Sequence, residues 1–145
     1  MGQSQQLIVP GRFERLTEIA AFVTRAAREA GLNDDEVFHV EMAVDEACSN
    51  VIEHAYASQT GDINLACTCP AAGQLEVVIR DSGQPFDPAE IPAPHVGAPP
   101  DPDNLNEGGL GLYFMRKLMD EVRFEYVPGQ GNRLTMLKRA KNGLT

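Results

Sequence analysis

Glu46, Asn50 and His54 stand four residues apart, so on a helix they share one side, each about one turn beyond the last. An amide oxygen such as that of Asn50 is a hard ligand suited to Mg2+, and a carboxylate one turn away can take a proton from an attacking hydroxyl. Asp81 ends the apolar run Leu75-Glu76-Val77-Val78-Ile79-Arg80. There a carboxylate can accept a hydrogen bond from an exocyclic amine such as that of adenine, and Gly83 lets a ring approach the backbone closely. Gly108-Gly109-Leu110-Gly111-Leu112 opens a helix, so its amides can reach phosphate oxygens with no Cβ in the way, aided by the positive end of the helix dipole. An adenine end, a phosphate end, a metal ligand and a proton acceptor together describe a nucleotide pocket.

Each piece alone also has a plainer reading. A Glu/Asn stripe is commonly a solvated helix face, His54 a hydrogen-bonded structural histidine, Asp81 the cap of a turn and the glycine run a hinge. No Gly-Lys-Ser/Thr follows the glycines and no strand directly precedes them, which excludes a Walker loop and a dinucleotide fingerprint.

The elements that must position these residues follow from periodicity. Phe13, Leu16, Ala20, Val23, Ala27 and Ala30 recur every three or four residues and predict a helix over 13–30 that Gly31 stops. A second helix starts at Asn33 or Asp34, with Glu36 placed for a capping box, and carries the core stripe Val37, Val40, Val44, Ala47, Val51 and Ala55 to about Ala57. Strands are predicted over 6–10, 62–68, 75–81, 121–127 and 133–139, with Gly129-Gln130-Gly131-Asn132 as a hairpin turn between the last two. A helix over 110–120 follows residues 82–107, which hold seven of the ten prolines and read as a lid or binding loop. The order implies an α+β fold in two layers, a mixed sheet with helices on one face, with residues 141–145 as a frayed tail.

At 145 residues and 43% hydrophobic, the chain fits one compact domain, here taken as 1–145. A net charge of −9 with only twelve Lys and Arg argues against direct nucleic-acid binding. The three cysteines, Cys48, Cys67 and Cys69, suit a reducing compartment, and no second Cys/His pair completes a zinc site with Cys67 and Cys69. The amino-terminal residues match neither a signal peptide nor a myristoylation pattern, and no apolar stretch of membrane-spanning length is present, so the expected location is cytoplasmic with no membrane association.

Glu46-x-x-x-Asn50-x-x-x-His54-Ala55-Tyr56, then Asp81-Ser82-Gly83-Gln84-Pro85-Phe86-Asp87-Pro88, then Gly108-Gly109-Leu110-Gly111-Leu112 resemble the N, G1 and G2 boxes of the GHKL, or histidine-kinase-like, ATPase superfamily. The short single-domain form and the Pro-Phe-Asp-Pro continuation are similar to the anti-sigma factor serine/threonine kinases of bacterial partner-switching pathways. This resemblance covers 7–139 and implies a Bergerat-type sandwich that binds ATP and Mg2+. Asn50 would coordinate Mg2+, Asp81 would bind the adenine amine and Gly83 would shape the base pocket. Gly108, Gly109, Leu110, Gly111 and Leu112 would close over the phosphates, and residues 82–107 would form the ATP lid. Thr135 would lie near the adenine, and Glu46 would be the general base. The implied acceptor is a STAS-domain antagonist and the implied target a sigma factor or other regulator, with the kinase a homodimer.

One departure stands out. Some of these kinases carry a basic residue just before the G2 glycines, whereas Asn106-Glu107 precede them here, with Arg116, Lys117 or Arg133 as substitutes from elsewhere. It motivates the alternative of a nucleotide-gated binding module with little or no transfer. A third possibility, the catalytic domain of a histidine-kinase-like system, lacks a helix pair bearing a phospho-accepting histidine ahead of it, since His39 and His54 fall within the ATP domain.

Overall fold

A computed structural model describes residues 4–55, 61–83 and 109–141, at 54–55 and 109–112 for the backbone alone. Strand β1 (Gln5–Pro10) leads through a 3₁₀ turn (Phe13–Arg15) into α1 (Leu16–Glu29) and α2 (Asp34–Asn50), which runs on into a π-helical turn (Val51–Ala55). The hairpin of β2 (Asp62–Thr68) and β3 (Gln74–Asp81) follows. Helix α3 (Gly109–Leu118) and a second hairpin, β4 (Glu121–Val127) and β5 (Gly131–Arg139), complete the described chain.

The five strands form one sheet in the order β1-β2-β3-β5-β4, and every neighbouring pair is antiparallel. The mixed sheet expected from the element order is therefore corrected. Two helices, α1 and α2, separate β1 from β2, so the chain reverses direction three times, an odd number, and returns antiparallel. The single-helix connection from β3 to β4 does make those two strands run the same way, but β5 lies between them.

Alternation fixes the sheet's two faces. Val9, Ile63, Leu65, Cys67, Leu75, Val77, Ile79, Leu134 and Met136 are all buried beneath the helices, each in register with a neighbour of the same face. The helices answer with Ile19, Val23, Ala26 and Ala27 from α1, Val37, Val40, Val44 and Ala47 from α2, and Met115 from α3. The predicted stripe of α1 is rotated slightly: Phe13 lies in the 3₁₀ turn at 49% exposure, and Ile19 is buried instead. Gly31, at φ 98°, ends α1. The Leu32 amide then donates to the Ala27 carbonyl and the Gly31 amide to Arg28, a Schellman-type closure that only glycine enters cheaply.

Cys67 and Cys48 are packed in this core, and burial pushes both thiols up to about 12. That makes them inert apolar residues. Cys69 lies just past β2, its thiol donating to the Ala71 carbonyl. No described helix is long and apolar enough to cross a membrane.

The start of α2 is tied down on two sides. Asn33 Oδ1 accepts from the Glu36 amide, and Glu36 Oε1 accepts from the Asn33 amide, both at 2.8 Å, closing the capping box. Glu36 Oε2 accepts the Lys141 amide at 2.7 Å, so one buried carboxylate holds both the helix start and the end of β5. Burial alone would raise its pKa, but the amides of Asn33 and Lys141, with the charges of Lys138 and Lys141, hold it below the usual carboxylate range. A lowered folded pKa stabilises above the unfolded value and is lost as pH falls through the folded one. Glu36→Ala should therefore cost about 2 kcal/mol in urea unfolding at neutral pH, and the gap to wild type should narrow on acidification.

Candidate functional site

The C-terminal part of α2, the end of β3 and the start of β5 converge on one cleft. Ala47, Val51, Ile79, Met115 and Leu134 give it apolar walls, and Asn50, Asp81 and Asn132 supply polar groups. An apolar slot with a few convergent polar atoms suits a flat heteroaromatic ring with an exocyclic amine.

Asp81 is 7% exposed and sits on the sheet face beneath the helices, because it continues the alternation of Leu75, Val77 and Ile79. Its Oδ1 accepts from the Gly83 amide at 2.8 Å and from Asn132 Nδ2 at 2.9 Å. Both bonds fall on Oδ1, and among the described residues none is seen to donate to Oδ2. Burial raises the Asp81 pKa, and the Asn132 and Gly83 bonds only partly offset it. The turn-cap reading of Asp81 is thus realised through Gly83 without using up the carboxylate.

Asn132 was not singled out from the sequence. The β3–β5 register sets it directly opposite Asp81, whereas Thr135 pairs with Val78 on the other face of the sheet. Thr135 is not brought to the site. Asn132 stands where that residue was expected, three positions earlier, and the register that decides this depends on pairing across a long loop.

Gly131 is the second residue missed. A Cβ there would fall 2.0 Å from the Asp81 carbonyl oxygen and 2.8 Å from Ser82 Cα, at φ +111°. Only glycine lets β5 pass this close behind Asp81. Its sequence signal was present, but it read as part of a hairpin turn.

Glu46 lies half-buried one turn before Asn50 on the same side of α2 and is not among the residues that line the cleft. The His54 side chain lies outside the described residues, although its backbone belongs to the π-helical turn, a form that recurs at functional sites. Gly83 is buried. Gly108 and residues 84–107 of the expected lid lie outside the described residues, while Gly109, Leu110, Gly111 and Leu112 form the first turn of α3. Of the cations offered in place of a basic residue before the glycines, Arg133 lines the cleft but bonds Glu125 at 2.9 Å. Arg116 lies 5.9 Å over the Phe124 ring and Lys117 5.8 Å over Tyr113.

A family model described as the histidine kinase-like ATPase domain matches residues 9–138. The chain is 35% identical over 126 residues to a serine-protein kinase RsbW of Bacillus licheniformis, covering 83% of this chain and 76% of that protein. It is 35% identical over 125 residues to the RsbW of Bacillus subtilis strain 168, with the same coverage. Among solved structures, the RsbU and RsbW domains of a Mycobacterium tuberculosis protein superpose with a TM-score of 0.67 at 19% identity, over 94% of this chain and 32% of that one. The histidine kinase domain of an Erythrobacter litoralis blue-light-activated kinase gives 0.53 at 20%, over 89% and 61%. These two likenesses bear on the fold.

Asp81→Asn should weaken adenine nucleotide binding by about 2 kcal/mol, through loss of a charge-assisted bond, as read by fluorescent-nucleotide titration. The ionised carboxylate is the acceptor, so wild-type affinity should fall as pH drops, beginning above the ordinary aspartate range because the pKa is raised. Gly131→Ala should lose both affinity and stability. Unaltered affinity in Asp81→Asn would remove Asp81 from the adenine end.

Proposed function

The chain belongs to the histidine kinase-like ATPase family, and we propose that it is an ATP-dependent protein serine/threonine kinase of a partner-switching pathway. In this reading it holds a sigma factor or other regulator and phosphorylates a STAS-domain antagonist, working as a homodimer. The observation that supports the reading is a buried carboxylate, Asp81, and an amide ligand, Asn50, lining one apolar cleft, with the carboxylate of Glu46 one turn before Asn50 on α2.

The roles follow from chemistry. Asp81 Oδ2 accepts the exocyclic N–H of adenine while Asn132 and Gly83 fix the carboxylate plane. The amides of Gly109 to Leu112, at the positive end of α3, face negative charge. Asn50 is the protein's ligand for Mg2+. Its one hard amide oxygen fits that ion, which would supply neutralisation of the phosphoryl charge when bound. Glu46 takes the proton of a serine or threonine hydroxyl as its oxygen bonds to the γ-phosphorus, and the bond from that phosphorus to the bridging oxygen breaks to release ADP. Phosphoryl transfer asks mainly for positioning and charge neutralisation, so this set is chemically sufficient.

A second reading, a nucleotide-gated binding module with little transfer, is favoured by one feature. Glu107 precedes the glycines, and Arg116 and Arg133 are engaged by Phe124 and Glu125. Incubation with Mg·ATP and candidate STAS-domain proteins, followed by intact mass, separates the two. Glu46→Gln should slow addition of a phosphoryl group by about 10²–10⁴-fold and leave ATP affinity unchanged. ATP-dependent capture of a partner that never gains a phosphoryl group leaves the binding module standing and ends the kinase reading.

A further inference from the structure

Phe38 and Met42 are among the most exposed large apolar side chains of the described fold, at 56% and 45%, and they lie one turn apart on α2. Isolated exposed apolar residues are ordinary; these two begin a line. Phe38, Met42, Glu46 and Asn50 are each four residues apart, and every step of four advances the helix by about 6 Å while turning it by about 40°. The line therefore winds from the outer crest of α2 into the cleft. Exposure falls along it: Phe38 and Met42 are exposed, Glu46 is half-buried and Asn50 lines the cleft.

The helix that carries this ridge bears charged side chains of one sign, while Lys138 approaches it from β5 at His39. Helix α2 has six acidic residues and no Lys or Arg. Glu36 is turned inward, but Asp34, Asp35 and Asp45 are exposed and Glu41 is half-exposed, and Glu53 continues the same sign just beyond. An apolar pair set among carboxylates matches a partner whose apolar contact residue is ringed by Lys or Arg. Phe38 lies about 12 Å along the helix from Glu46, a span that one docked protein surface covers easily.

The geometry points to the Phe38–Met42 ridge as the docking surface for the acceptor protein, a partner presenting an apolar knob flanked by basic residues so that its hydroxyl reaches Glu46. This rests on the kinase reading of Glu46. Docking on the ridge sets affinity for the acceptor, whereas Glu46 sets the rate of transfer, so the two separate in kinetics.

The probe is the STAS-domain protein that gains a phosphoryl group from the wild-type chain in the mass assay. Phe38→Ser combined with Met42→Ser should raise KM for that protein about tenfold, with kcat, ATP affinity and thermal stability unchanged. Asp45→Lys, a separate exposed site, should also raise KM. Added salt should raise the wild-type KM and affect the Asp45→Lys variant less. An unchanged acceptor KM in both variants overturns the ridge. So does conversion of a dimer to a monomer in sedimentation of the double variant with acceptor KM unchanged, which makes the ridge a self-association face. Absence of any phosphorylated acceptor with the wild-type chain ends the kinase reading and this proposal with it, a failure distinct from the other two.

Discussion

The site depends on one close approach: β5 runs against the backbone of Asp81 so tightly that position 131 has no room for a Cβ. This contact puts Asn132 opposite Asp81 and lets its amide donate to Oδ1. A carboxylate at the end of a strand would otherwise turn to solvent, where it competes with water for any ligand. Here it is buried, oriented by two donors on one oxygen, and left with its other oxygen for an incoming N–H. The burial that raises its pKa also strengthens any bond it makes, because a donor meeting it is screened little by water.

The opposite end of the same strand is held by a different polar cluster. Lys138 follows Leu134 and Met136 on the inner face at 5% exposure. Its Nζ donates to the Leu118 carbonyl at the end of α3 and lies 3.2 Å from His39 Nδ1 on α2. A neutral His39 accepts this proton, in keeping with burial and the Lys138 charge, which both push its pKa down. Lys138 is itself pushed down, chiefly by burial. With Glu36 holding the Lys141 amide, residues 138–141 at the end of β5 pin two helices, α2 and α3. The strand is thus fixed at Gly131 by shape and at Lys138 by hydrogen bonds.

The legible parts of the fold were those set by local pattern. Glu36 three residues after Asn33 signalled the capping box, and the apolar run 75–80 signalled β3 with Asp81 at its end, while the burial of Asp81 on the inner face came from the structure. Strand direction was not legible, because antiparallel pairing follows from the number of intervening helices and the insertion of β5 between β3 and β4. The site divided the same way. Asn50 and Asp81, which line the cleft, could be singled out because a helical period and the end of an apolar run mark them without knowledge of pairing. Asn132 and Thr135 could not be told apart, since choosing between them requires the β3–β5 register. Gly131 was visible as a glycine, but its role comes from what passes behind it.

These two anchors divide the cleft into unequal halves. In the proposed kinase reading, the adenine end would be built on β3 and β5, whose pairing runs unbroken from Gln74–Arg139 to Asp81–Asn132. The phosphate end would belong to the first turn of α3, which contains Gly109 and Gly111, each about 1 kcal/mol less favourable in a helix than alanine. The far end of α3 is fastened by buried Met115 and Met119 and by the Lys138 bond to Leu118. A helix held at its C-terminus and weak in its first turn reshapes at that first turn at the lowest cost. In the proposed kinase reading, base recognition would fall to the sheet, and the first turn of α3 would be the segment where the presence or loss of a terminal phosphate becomes a change that a bound partner can sense.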